Sequence, residues 1–243
     1  MKVRDIAAAI ESFAPLTLQE SYDNSGLVVG RMDDEVSKAL LAVDVTEEVI
    51  EEALAEGCDM IITHHPIIFH ALKRFNSAST TERCVELAIR HGIVLYAAHT
   101  NLDSTPQGMS WRVGEMLGLR NMEVLQATNA EGAGFGVVGD VEPCPSEEFM
   151  LKVMERFDVK TLRHSDVVRG EVSRVAICTG AGASLIDDAR RARADIYLTA
   201  DLKYNDFMRG EKGMIIADIG HFESEFCAIS ILYDVISKKI PTF

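Results

Sequence analysis

KALLAVDVTEEVIEEALAEGCDMIITHHP (38–66) decides the fold. Its first part, 38–45, is a short apolar run that predicts a strand. Thr46 follows as a helix cap, and acids fill the next turn, where the helix dipole favours them. The helix expected over 47–56 stops at Gly57, and 59–63 predicts a second strand. Strand, helix and strand in this order point to parallel neighbours in an α/β fold. The alternation continues on both sides. Residues 2–13 predict a helix stopped near Pro15, 79–91 a helix stopped by Gly92, 93–98 a strand and 106–117 a helix. The Gly-rich stretch 128–145 is strand-like around 135–141. Further on, 146–157 predicts a helix capped by Ser146. Strands are expected at 172–179, 195–199 and 214–218, and helices at 184–193, 201–209 and 224–237.

At 243 residues, of which 47% are hydrophobic and 26% charged, the chain has an ordinary globular composition. It has room for one large domain or two lobes. The break between lobes is expected near 120–130, giving a first lobe over 1–125 and a second over 126–221. The second half echoes the first: a strand, a helix and a strand ending in threonine recur at nearly equal spacing, with Thr63 answered by Thr199. A net charge of −14 argues against a nucleic-acid clamp, which needs clustered Lys and Arg. No apolar stretch approaches the roughly 20 residues of a membrane span. The five cysteines are scattered and form no C-x-x-C. They read as reduced thiols of a cytoplasmic protein, with no thiolate zinc site.

Four of the seven histidines stand directly after apolar strands: His64 and His65 in IITHHP, His99 in LYAAHT and His221 in IADIGH. Ligands of open α/β sheets bind at the carboxyl ends of strands. Asp103 follows His99 by four residues and Glu225 follows His221 by four, a spacing that puts each pair on one face of a helix. One histidine after a strand is most often a hydrogen-bonded structural residue. Three such strand ends with acids beside them point instead to a divalent metal held by imidazole and carboxylate, suiting Zn, Mn, Fe, Co or Mg. Two such ions about 3.5–4 Å apart would acidify water for nucleophilic attack near neutral pH. His70, His91 and His164 lack this setting and read as structural. TGAGAS (179–184) has two readings, a backbone cradle for an anion or close helix–sheet packing.

Taken together, YDNSGLVVG (22–30), THHPIIF (63–69), HTNLDS (99–104), TGAGAS (179–184), TADLKYND (199–206) and ADIGHFESE (217–225) resemble the NIF-three-like dinuclear metal proteins. That family is also called GTP cyclohydrolase I type 2 homologues. The resemblance spans nearly the whole chain. It implies two similar, intertwined three-layer α/β/α lobes from an internal duplication, with no inserted third domain and the final helix, about 222–243, packing back on the first lobe. It implies two divalent ions per chain, with His64, His65, Asp103, His221 and Glu225 as ligands. Glu225 would bridge, and His99 would position water or substrate, which makes His99 and Glu225 the catalytic candidates. It further implies a toroidal homohexamer and a hydrolase acting on a nucleotide-like or phosphorylated substrate. The rival expectation is a metal-binding assembly or regulatory protein without turnover. Tyr22 stands where the family usually has Trp, and Asn205 where it often has His.

Overall fold

The computed structural model describes residues 1–128 and 132–243, so part of the Gly-rich stretch, 129–131, lies outside the described residues. The chain divides into two compact units, Met1–Thr105 with Ala228–Phe243, and Pro106–Cys227. Both are mixed α/β.

In the first unit the order is α1 (Val3–Glu11), β1 (Gly26–Val29), β2 (Ala39–Ala42), α2 (Glu47–Ala55), β3 (Met60–Thr63), α3 (Thr80–His91), β4 (Val94–Ala97) and α4 (Thr100–Ser104). The sheet runs β1-β4-β3-β2. β2, β3 and β4 are parallel, and β1 closes the edge antiparallel to β4. β3 and β4 bury all four of their residues, as expected of strands covered on both faces. Local chemistry sets the helix ends. Thr46 accepts a hydrogen bond from Val49 N and Ser79 one from Glu82 N, while Gly92 ends α3 in the left-handed region at φ 70°. The core between α2, α3 and the sheet gathers Ile50, Ala53, Ile61, Cys84, Ala88 and Leu95.

The second unit comprises α5 (Met109–Met116), β5 (Arg120–Ala127), β6 (Gly134–Pro145), α6 (Ser146–Arg156), β7 (Arg163–His164), β8 (Glu171–Ala181), α7 (Ile186–Arg191), β9 (Ile196–Ala200), α8 (Tyr204–Phe207), β10 (Ile215–Asp218) and α9 (His221–Glu225). Its sheet is β5-β6-β8-β9-β10-β7. β8, β9 and β10 are parallel, with β7 antiparallel at one edge and β6 and β5 antiparallel at the other. β5 straddles the boundary read from the sequence at 125/126 and is a strand of this sheet. Ala176, Ile186, Ala189, Tyr197 and Ile216 centre its core. α10 (Cys227–Lys239) ends the chain, counted from Ala228 with the first unit.

Three local expectations need correction. The helix expected over 106–117 begins later, as α5 at Met109, because Thr105 is extended before Pro106, as the residue before a proline prefers, and Gln107 turns into the left-handed region at φ 61°. Ser146 does not cap α6; it is the first helical residue, and its hydroxyl donates to Arg169 O. The helix expected over 224–237 is split into α9, which begins at His221 after Gly220 turns the chain at φ 85°, and α10 from Cys227.

One hydrogen-bonding device occurs in each unit where the first parallel strand starts. Asp59 Oδ2 accepts from Ser37 N at 2.7 Å, Ser37 Oγ at 2.6 Å and Lys38 N at 3.3 Å. Asp195 Oδ2 accepts from Ser173 N, Ser173 Oγ and Arg174 N, each at 2.9 Å. The hydrogen bonds from Ser37 hold the Asp59 carboxyl below its ordinary range against a smaller opposing effect of burial. Asp195→Ala would strand three donors, so a loss of about 1–3 kcal/mol is expected. Urea denaturation of the variant checks it, and an unchanged midpoint would remove this device from the account of stability.

Candidate metal centre

The first unit brings three imidazoles together at the ends of two parallel strands. β3 delivers His64 and His65, and β4 delivers His99 after Ala98. Ring centroids lie 5.0 Å apart for His64–His65, 5.3 Å for His64–His99 and 5.4 Å for His65–His99. One ligand atom from each lies within 4.8 Å of the others, a group that could hold a metal ion. Asp103 joins them from α4, whose first turn carries it back under His99. Its Oδ1 is 3.7 Å from His64 Nε2.

Each ring is oriented by its other nitrogen. His64, fully buried, places Nδ1 2.8 Å from Ala98 O. A carbonyl only accepts, so Nδ1 carries the proton and Nε2 the lone pair. His65 Nδ1 lies 2.8 Å from Asp44 Oδ1 and His99 Nδ1 2.7 Å from Asp23 Oδ1. In the second unit His221 Nδ1 lies 2.8 Å from Asp201 Oδ2, and its Nε2 is 3.0 Å from Glu225 Oε2, one helical turn on. An outer oxygen on the far ring nitrogen is the usual support of a metal-binding histidine, fixing tautomer and orientation. The donors are imidazole nitrogen and carboxylate oxygen with no thiolate among them, a set that fits a divalent ion.

The whole chain, residues 1–243, matches the description Duf34/NIF3 (NGG1p interacting factor 3). The chain belongs to the Duf34/NIF3 family. A Clostridium perfringens protein named GTP cyclohydrolase 1 type 2 homolog is 34% identical over 247 residues, covering 100% of this chain and 94% of its own length. A Streptococcus pneumoniae protein of the same name is 32% identical over 229 residues, covering 91% and 85%. Among solved structures, a Bacillus cereus protein related to NIF3 shares the fold at a TM-score of 0.93 and 24% identity, covering 99% of this chain and 93% of that one. Reduced HcgD from Methanocaldococcus jannaschii gives 0.83 at 28% identity, covering 98% and 94%.

In this NIF3 chain the outer carboxylates are the residues that reasoning on histidines passed over. Asp23 is the most engaged. It accepts from Asn24 N, Ser25 Oγ, Thr100 N and Thr100 Oγ1 besides facing His99. Burial alone would raise its pKa. The hydrogen bonds from His99 and Thr100 outweigh it and hold the carboxyl far below its ordinary range. Asp44 and Asp201 follow β2 and β9. The rule that singled out the histidines, chemistry at strand carboxyl ends, applied to acids would have found both.

The glycines of TGAGAS serve packing. Gly180 N donates to Ser224 Oγ and Gly182 N to Thr199 Oγ1, so those amides are spent inside the fold. A Cβ on Gly180 would lie 2.2 Å from Glu225 Oε1, and its φ is +63°. Only glycine lets the Glu225 carboxylate lie there. Of the histidines read as structural, His91 closes α3 and His164 in β7 places Nδ1 2.7 Å from Ser165 O. No helix among the described residues is long and apolar enough to cross a membrane.

Two outcomes follow. Asp44→Ala and Asp201→Ala should each weaken divalent-metal affinity about 10–100-fold, measured by calorimetric titration with Zn or Mn. Undiminished affinity would show that the carboxylates do not support the ligands. In the metal-free protein the His221 pKa is pushed up to about 9, first by the Glu225 hydrogen bond, against burial and with help from Asp201. A raised histidine stabilises the fold fully below its ordinary pKa near 6.5 and loses that contribution as pH rises through the folded value. Thermal melts of chelator-treated protein should therefore drop between about pH 6.5 and 9 relative to Glu225→Gln, and parallel melting curves would contradict the assignment.

Proposed function

We propose that the chain is a dinuclear divalent-metal protein and a metal-dependent hydrolase acting on a nucleotide-like or phosphorylated substrate. The observation that carries this reading is the set of four histidines whose Nδ1 atoms all face an oxygen acceptor. The ligands that the family resemblance implies, His64, His65, Asp103, His221 and Glu225, would hold two ions, of Zn, Fe, Mn, Co or Mg. Bound there, divalent ions would supply Lewis acidity and lower the pKa of water towards neutrality.

The chain's own residues do the rest. His99, its ring held by Asp23, would orient water or substrate and take a proton at Nε2. Glu225 would give a carboxylate to the ions, and the proton it shares with His221 in the metal-free protein would be released to solvent as metal enters. The names of the clostridial and streptococcal relatives favour a purine nucleotide and opening of its ring at C8 by water.

An internal duplication into two α/β/α lobes is part of the reading. It is supported by the like order of four strands in each sheet, β2-β3-β4-β1 and β8-β9-β10-β7, by the paired Ser–Asp devices at Asp59 and Asp195, and by the matching hydrogen bonds from Ala98 N to Thr63 O and from Ile219 N to Thr199 O, both 2.9 Å. The exposed, touching rings of Phe222 and Phe226 favour assembly of copies, here a toroidal homohexamer. All five cysteines are thiols, which favours a cytoplasmic setting.

Elemental analysis of protein purified without added metal should find two equivalents per chain. Metal-loaded protein should turn over a member of a nucleotide and phosphoester panel, and Glu225→Ala and His65→Ala should each abolish that turnover. Tight metal binding with no turnover across the panel would replace the hydrolase by a non-catalytic metal-binding assembly protein. Absence of metal binding would end both readings.

A further inference from the structure

Beside the imidazole group of the first unit stand two aromatic rings that the hydrolase reading leaves unused. Tyr22, in the loop before β1, is 64% exposed, and Phe69, in the loop after β3, is 39% exposed. Their rings meet edge to face, with centroids 6.2 Å apart at 66°. Phe69 also lies edge-on to His99, at 5.9 Å and 84°, and His70 packs against it at 5.0 Å. The rings therefore continue the surface of the imidazole group outward.

Both loops are tied in place. Asn24 Nδ2 donates to Ile68 O at 2.7 Å, which joins the loop of Tyr22 to that of Phe69. Asp23, the neighbour of Tyr22, faces His99 Nδ1 and accepts from Thr100 N. Such rings are prepared before any ligand arrives, so little ordering is needed on binding. A large aromatic side chain left in water forgoes the burial that normally justifies it, and adjacent exposed rings beside a polar cluster mark a binding surface. The charges near Tyr22 are acidic. After partial burial, Glu20, Asp23 and Asp103 all help to push its phenol up.

Resting on the reading of a nucleotide-like substrate, we propose that Tyr22 and Phe69 form a stacking platform for a planar heteroaromatic ring, so that a base beside His99, and not the phosphate alone, selects the substrate. Every nucleobase offers a π-face to an aromatic side chain, and such stacking is tolerant of base identity. The platform would therefore favour nucleotides over base-free phosphates as a class.

The test uses the full-length, metal-loaded protein and two probes, GTP and base-free tripolyphosphate, titrated by calorimetry. GTP should bind about tenfold or more tightly than tripolyphosphate. Tyr22→Ala should weaken GTP about tenfold while leaving tripolyphosphate within about twofold, and Tyr22→Phe should restore GTP binding. Metal content, measured on each sample, should stay at the wild-type value, because Tyr22 is not among the proposed ligands. Equal affinity for the two probes, or a parallel loss of both in Tyr22→Ala, would overturn the platform while leaving a phosphate-directed hydrolase standing. Metal-loaded wild-type protein that binds neither probe would overturn the platform and the nucleotide reading together.

Discussion

Holding an imidazole still at the end of a strand takes a second partner, because one bond to a ring nitrogen leaves the ring able to turn about χ2. In this chain each of the four strand-end histidines has that partner on Nδ1. It is the Ala98 carbonyl for His64, Asp44 for His65, Asp23 for His99 and Asp201 for His221. The proton position follows from the acceptor, and the outward atom is Nε2 in every case. Much of the surrounding fold serves these four contacts. β2 and β9 bring Asp44 and Asp201 to strand ends, and the loop before β1 folds over α4 so that Asp23 meets His99 and Thr100 together.

Burying polar groups beside apolar strands is costly unless they are hydrogen-bonded. His64, at the end of β3, and Glu225, in α9, are both buried. The rigid parallel strands set the height at which each side chain emerges. The short helices α4 and α9 set where the following acid returns. Gly180 is the constraint on the return of Glu225, since any larger residue would occupy the space of its carboxylate. The chain's negative charge fits the same picture, because acids that face histidines from behind favour cations in front of them.

The parallel α/β character, the caps at Thr46 and Ser79 and the stop at Gly92 were legible because they rest on contacts within one turn of the chain. The grouping of His64 and His65 with His99 was legible for a related reason: two apolar runs each ended in histidine, and a parallel sheet places such ends on one side. Two edge strands were missed. β5 and β7 lack an apolar run of their own and exist because β6 and β10 present open backbone edges to them. The helix expected over 106–117 formed but began late, at Met109, for a local reason at Pro106 and Gln107 that the apolar spacing masked.

Sequence alone determined which side chains stand at strand ends and which acids fall one helical turn later, since both depend on periods of two and 3.6 residues along the chain. It also carried the family, through motifs short enough to read in line. Tertiary structure decided which acids support which rings. Asp23 lies far from His99 along the chain, and Asp44 far from His65. Only strand pairing and loop closure bring them within 3 Å, and no local period encodes a contact of that kind. The same holds for Tyr22 and Phe69, two loop residues that became one surface when Asn24 bound Ile68.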